Sequence, residues 1–377
     1  MEPPQPINET SYLKQIIELK DEIIKLQKII MEKNQIIEKD KEIINELRNK
    51  LNLEQEKEIE QEKLQKNKII TLNKNFNIQE KEVIFEDQGQ SEFYTIYILQ
   101  DGRIVAGDSS GNIIIYNKNN FKSELTIKES NYIMYLTQLE NGSLVSLNSG
   151  GSISIYKLLE NFKYLLLQKI NAHSARIHKL RSLDNDKRFM TCSDDCTIKF
   201  FFKDQNEYKE DYSFKDDIYI FNILKTREGE IAYSGYNSSS NSFVKFYDLK
   251  ARKIIYSSAV KKLYNGLTDG LYKLSDTYLL VGATNAILIF DINQHRQIRE
   301  IESTNSSTIT SFLKIDKNCL LSANCNGNIK QWIIDGDNLI LENIKNNAHG
   351  GQIRMIRRNE EGLIITCSDD KSIKIWK

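Results

Sequence analysis

Two kinds of hydrophobic spacing divide the chain. From Ile16 onward every seventh residue is aliphatic: Ile16, Ile23, Ile30, Ile37, Ile44 and Leu51. Three residues after these stand Leu19, Leu26, Lys33, Asp40 and Leu47. This is a heptad with an unbroken a column and a d column interrupted twice. The prolines are Pro3, Pro4 and Pro6 and the first glycine is Gly89, so no strong helix breaker falls between residues 10 and 66. A straight helix lets such a stripe drift by about 20° per heptad, so keeping it in register calls for a left-handed supercoil with a partner. The spacing predicts a coiled-coil helix over 11–66, after a disordered tail (1–10) and before a linker (67–79). Ile at a with Leu at d favours a parallel dimer, while Ile29, Ile36 and Ile43 widen the apolar face and keep trimers or a bundle open. The other reading is a single charged helix, since the pattern dissolves after Leu51 into EQEKEIEQEKLQKNK.

From about residue 91 strict alternation replaces the heptad. Short segments ending in an aromatic recur: DSSGNIIIY at Tyr116, NSGGSISIY at Tyr156, SDDCTIKFF at Phe201, SNSFVKFY at Tyr247, GATNAILIF at Phe290, NCNGNIKQW at Trp332 and SDDKSIKIW at Trp376. Their intervals are 40, 45, 46, 43, 42 and 44 residues. An apolar strand such as GRIVAG, KRFMTC or GLIITC precedes each. The unit is therefore strand, tight polar turn, strand, used seven times. Residues 80–87 (EKEVIFED) are strand-like and belong to no unit, whereas the seventh unit stops after its third strand. We expect 80–87 to complete the seventh unit and close the array, because an open sheet edge is a liability.

These residues carry a resemblance. SDDKSIKIW, preceded by GLIITC and by Ala348-His349, resembles a repeat of the WD40 family, and NAHSARIHKL followed by FMTCSDDCTIKFF resembles a second. The resemblance implies an all-β, seven-bladed propeller over 80–377, four antiparallel strands to a blade. It also implies a structural hydrogen-bonded set in each well-formed repeat. In the seventh unit this is His349, Thr366 or Ser368, Asp370 and Trp376. In the third it is His173, Thr191 or Ser193, and Asp195, with Phe201 in place of Trp and no N–H to donate. The loops before the first strand of each unit imply a partner-binding rim at Glu92, Tyr132, Arg176 and Gln352. A longer turn, Tyr236 to Ser242, is a candidate recognition loop. A helix before a propeller is similar to the architecture of G-protein beta subunits, of autophagy sixteen-like proteins and of ubiquitin-ligase adaptors.

Composition narrows the function. The 52 basic and 52 acidic residues cancel, which argues against a chain built to grip nucleic acid. No stretch approaches the ~18 consecutive apolar residues of a spanning helix, and MEPPQPINETS lacks the features of a secretory signal. Cys192, Cys196, Cys319, Cys325 and Cys367 are an odd, scattered set, which suits small buried hydrophobes in a reducing, cytoplasmic setting rather than disulfides or a metal site. No P-loop, dinucleotide fingerprint or nucleophile elbow is present. Arg357-Arg358 resembles the paired arginines of phosphoinositide-binding propellers without the glycine that follows them. The expected protein is a non-catalytic scaffold without cofactor or metal. It takes a protein partner on the rim, and a helix partner or a second copy of itself through 11–66. The rivals are a propeller enzyme and a nucleic-acid or membrane-surface binder.

Overall fold

The structure is a computed structural model describing residues 76–377 apart from 160–162, 261–269 and 304–306, with scattered positions between 20 and 48. The chain forms two units, Met1–Leu72 and Asn73–Lys377. In the first, the described positions are α-helical. Leu26 and Ile44 are the seam residues among them, and both are exposed. Ile16, Leu19, Ile23, Ile30, Ile37, Leu47 and Leu51 lie outside the described residues, as do the tail at 1–10 and residues 67–75.

The first strand of the second unit is β1 (Val83–Gln88), followed by six sets of four strands and one of three. Blade one is β2 (Phe93–Ile98), β3 (Ile104–Asp108), β4 (Asn112–Tyr116) and β5 (Ser123–Lys128). Blade two is β6 (Ile133–Gln138), β7 (Leu144–Asn148), β8 (Ser152–Leu159) and β9 (Lys163–Asn171). Blade three is β10 (Ile177–Ser182), β11 (Arg188–Ser193), β12 (Thr197–Asp204) and β13 (Glu207–Lys215). Blade four is β14 (Ile218–Arg227), β15 (Glu230–Asn237), β16 (Ser242–Asp248) and β17 (Lys253–Val260). Blade five is β18 (Leu271–Lys273), β19 (Tyr278–Ala283), β20 (Ala286–Asp291) and β21 (Arg296–Glu302). Blade six is β22 (Ile309–Lys314), β23 (Cys319–Asn324), β24 (Ile329–Asp335) and β25 (Asn338–Lys345). Blade seven has β26 (Ile353–Arg358), β27 (Ile364–Ser368) and β28 (Ser372–Trp376), and takes its fourth strand from β1.

First strands are innermost and pack side by side round the axis, β26 against β2, β2 against β6, β6 against β10 and so on, with β19 meeting β22. A lone four-stranded sheet leaves both faces wet, and a ring buries each against a neighbour. The cores accordingly lie between blades. Val105, Ile113 and Ile115 of blade one meet Ile133, Leu136 and Leu144 of blade two, and Phe246 of blade four meets Leu288 and Phe290 of blade five. β1 closes the ring antiparallel to β28, with Val83 opposite Trp376 and Gln88 opposite Ser372. Glu82 and Lys377 exchange N–H···O bonds of 3.2 and 3.0 Å.

Two expectations need correction. The stretch read as a linker enters the ring before residue 80. Ile78 sits in a 3-10 turn (Ile78–Glu80) and is fully buried beside Leu321, Ala323, Ile353 and Trp376. Its N–H donates to Gln331 Oε1 at 2.8 Å, and Gln331 Nε2 donates to the Phe76 carbonyl at 2.9 Å. One isoleucine in NFNIQE has neither period, so spacing could not reveal it. The segment from Tyr236 to Ser242 is not a loop throughout. Tyr236 pairs with Ser242 as a further rung of the β15–β16 ladder. The turn proper is 238–241, where Asn237 Oδ1 accepts the N–H groups of Ser239 and Asn241 at 3.1 and 3.0 Å.

Candidate partner-binding rim

The rim rests on polar posts beneath the loops that lead into the inner strands of blades one, two, three, four and seven. In blade seven His349 Nε2 lies 2.7 Å from Thr366 Oγ1 and Nδ1 lies 2.9 Å from Asp370 Oδ2. Trp376 Nε1–H donates to Thr366 Oγ1 at 2.9 Å. Of the two candidates Thr366 joins the set, while Ser368 Oγ accepts the Asp370 N–H at 3.1 Å and shapes the turn. Blade three repeats the arrangement. His173 meets Thr191 at 2.8 Å and Asp195 at 2.9 Å, Ser193 accepts the Asp195 N–H at 3.1 Å, and Phe201 stacks on Phe189 at 4.9 Å where Trp would donate. Burial pushes the Asp370 and Asp195 carboxyls up. Hydrogen bonds from His349 and Ser372, and from His173 and Thr197, outweigh it and hold both well below the ordinary carboxylate range.

This hydroxyl–imidazole–carboxylate chain has the connectivity of a nucleophilic triad. Thr366 is wholly buried and already accepts the indole N–H, so its oxygen is closed to a substrate. Among the described residues no three His, Cys, Asp or Glu side chains stand together as a metal site.

The other five blades lack this histidine, and two have exchanged it for an acid. The N–H groups of His349, His173, Glu129 and Asp216 all donate to the carbonyl of the preceding blade's turn (Gly327, Gly151, Gly111 and Cys196) at 3.0, 3.0, 2.8 and 2.8 Å. Gly151 is at φ +81°, and a Cβ there would stand 2.1 Å from the His173 carbonyl oxygen, so this turn admits glycine for its close approach. In blade two the Glu129 carboxylate accepts from Ser146 Oγ, from Tyr156 OH at 2.9 Å and from Asn148 Nδ2 at 2.9 Å. In blade four Asp216 accepts from Tyr233 OH at 2.5 Å and pairs with Lys245 at 2.8 Å. In blade one Asp87, on the closing strand, accepts from Tyr116 OH at 2.6 Å. Burial first, and the facing carboxylate second, push the hydroxyls of Tyr233 and Tyr116 far above the usual tyrosine range. Spacing was the available signal: Glu129 precedes Ser146 by 17 residues and Asp216 precedes Tyr233 by 17, as His349 precedes Thr366 by 17.

Above these posts the four rim positions are equivalent. The carbonyls of Glu92, Tyr132, Arg176 and Gln352 accept the N–H of Ser109, Ser149, Asp194 and Asp369 at 2.9, 3.0, 3.1 and 3.0 Å. Their side chains differ. Tyr132 is half exposed, with its ring 6.3 Å from that of Tyr94 edge to face. Glu92 accepts the Tyr94 hydroxyl at 2.9 Å, and burial together with that bond pushes the hydroxyl up to about 12. Arg176 reaches Asp194 at 3.8 Å, and the same carboxylate holds buried His178 at 2.7 Å. Gln352 is buried, so it supports the rim rather than presenting a contact. The residue that sequence reasoning missed is two places on: Arg354 grips Asp369 with two bonds of 2.5 and 2.8 Å and lies 4.9 Å over the Tyr94 ring. Arg354, Tyr94 and Tyr132 thus form one continuous group across blades seven, one and two. A second aromatic group rises at blade four, where Tyr236 stands 5.2 Å from Tyr219 and 5.1 Å from Phe221. Arg357 and Arg358 sit on innermost β26, bonded to the carbonyls of Ile356 and Ile315, an arrangement unlike an open paired-arginine site.

The architecture defines the class, a seven-bladed β-propeller. The family model described as WD domain, G-beta repeat matches residues 165–201, from β9 of blade two into β12 of blade three, and residues 345–377, through the three strands β26 to β28 of blade seven, so two WD40 repeat matches lie within the seven-bladed ring. No curated protein matches the chain. WD40 propellers act in general as non-catalytic protein-interaction scaffolds.

Proposed function

We propose that the protein is a non-catalytic adaptor whose rim binds a protein or peptide partner, while 11–66 docks or oligomerises as a coiled coil in the cytoplasm. The observation that carries this reading is the exposed Tyr132, backed by the half-buried Tyr94, Glu92 and Arg354 in one group across three blades over polar posts. Arg and Tyr are recurrent anchors because they combine large contact area with directed hydrogen bonds at modest entropic cost. Two rims carried on one coil would bind a repeated partner with avidity and without new contacts.

Affinity capture with the intact chain tests the rim. Tyr132→Ala and Arg176→Ala should release the captured protein while leaving the melting temperature unchanged, and capture undiminished by both changes rules the rim out. Light scattering tests the coil by comparing the whole chain with one starting at Lys68. A dimer that becomes a monomer supports self-pairing; two monomers sink it and leave a foreign helix as the partner.

A further inference from the structure

A second surface takes no part in the rim. β9 is the outermost strand of blade two, bonded to β8 on one side and, among the described residues, to no strand on the other. It carries three consecutive leucines: Leu165, Leu166 and Leu167 are 51, 47 and 48 % exposed, and Leu159 on β8 is 41 % exposed. Other outer strands put charge at such positions, as in β13 (EYKEDYSFK) and β21 (RQIREIE). Like the other outer strands, β9 carries a bulge. Tyr156 opposes Leu166 and Ile155 opposes Gln168, which leaves Leu167 with no residue opposite it. The strand is nonetheless firmly held: Gln168 exchanges two bonds of 2.9 Å with the Tyr208 backbone of blade three.

Along the two strands the charge has one sign, the acid Glu160 of the turn between them lying outside the described residues. Neither β8 (SISIYKLL) nor β9 (KYLLLQKIN) contains an acid, and Lys157, Lys163 and Lys169 are all exposed without an ion pair among the described residues. The edge therefore offers outward backbone groups, four leucines and three ammonium groups that no described acid pairs.

We infer that β9 is a strand-accepting edge: an extended segment of a partner protein, apolar in its middle and acidic at its flanks, adds to blade two as a fifth strand. Backbone pairing supplies register, the leucines supply apolar contact, and the lysines choose the sequence. Charge also excludes the simplest alternative. A second copy pairing its own β9 antiparallel about Leu166 would set Lys163 opposite Lys169 twice, like charge facing like. A flat apolar edge left bare is an aggregation template, and an acid-flanked strand covers it while neutralising the lysines.

The test uses the whole chain and fluorescence anisotropy of a labelled peptide, Glu-Val-Ile-Val-Glu, against its lysine-flanked counterpart Lys-Val-Ile-Val-Lys. The acidic peptide should bind and the basic one should not. Lys163→Glu combined with Lys169→Glu should weaken the acidic peptide by roughly tenfold or more and give the basic one measurable affinity. N-methylation of alternate residues of the acidic peptide should abolish binding, a result that needs no variant to fold. Equal binding of both peptides overturns the inference, as does indifference to N-methylation. Sedimentation with phosphatidylcholine–phosphatidylserine vesicles in place of peptide binding would make the patch lipid-facing and also overturn it. So would a concentration-dependent dimer that Leu166→Asp dissolves.

Discussion

Replacing Glu129 with alanine isolates the exchange of histidine for acid in blade two. The carboxylate accepts from Ser146, Tyr156 and Asn148, and all four residues are buried. Alanine leaves three donors without an acceptor. At about 1 kcal/mol for each stranded neutral group, the low end of the range because a water can enter the space, the loss is about 3 kcal/mol. Glu129→Gln keeps the shape and one acceptor oxygen, and the Ser146 and Tyr156 hydroxyls can rotate to accept from the new amide. Its cost should be about 1 kcal/mol. Urea unfolding followed by circular dichroism reads both values. Fluorescence of Trp332 and Trp376, in blades six and seven, shows whether distant blades unfold in the same transition. The expected order is wild type, then Gln, then Ala, with melting temperatures of the alanine form lower by roughly 5–10 °C. An alanine form within about 0.5 kcal/mol of wild type would refute the reasoning, because surface substitutions of no structural consequence fall in that band.

Ile78→Ala should cost about 2–4 kcal/mol, the usual range for a fully buried aliphatic side chain that leaves a cavity, and differential scanning calorimetry should show it despite the residue's position outside every blade. Acidification should lower stability in two stages. Burial depresses the His178 pKa from its ordinary 6.5, against the pull of Asp194, so the unfolded chain binds more protons just below pH 6.5 and stability falls there as pH drops; His178→Gln should remove that stage from a pH series of urea midpoints. Asp370 and Asp195 lie below their ordinary 3.8, so their contribution is complete above that value and drains away as pH falls through it toward the depressed folded values; Asp370→Asn should blunt this second stage.

Much of the ring was legible because its repeat is written in large side chains. Each third strand carries a buried aromatic, from Tyr116 to Trp376, and such residues mark a period even where neighbours drift. The polar posts were plain where histidine remained and elsewhere were signalled only by the 17-residue spacing to their partners. Glu129 in IKESN and Asp216 in FKDDI look like solvent-facing charges in a loop, and nothing local shows that a tyrosine or serine 17 or more residues later will enclose them. Ile78 was hidden for the opposite reason: a single contact between distant segments has no period. The burial of Gln352 and the pairing of Arg354 with Asp369 were not legible because the bulge between Ile353 and Met355 shifts the register at the start of this inner strand.

The clasp between β1 and β28 joins nearly the first and the last pieces of the ring to leave the ribosome. At roughly 5–20 residues per second, VIFEDQ waits tens of seconds for its mate to be translated. Throughout that interval Val83 and Ile84, exposed even in the finished molecule, belong to a strand with no neighbour on either side. Nascent chains stalled short of Trp376 should therefore depend on chaperones far more than the completed protein does.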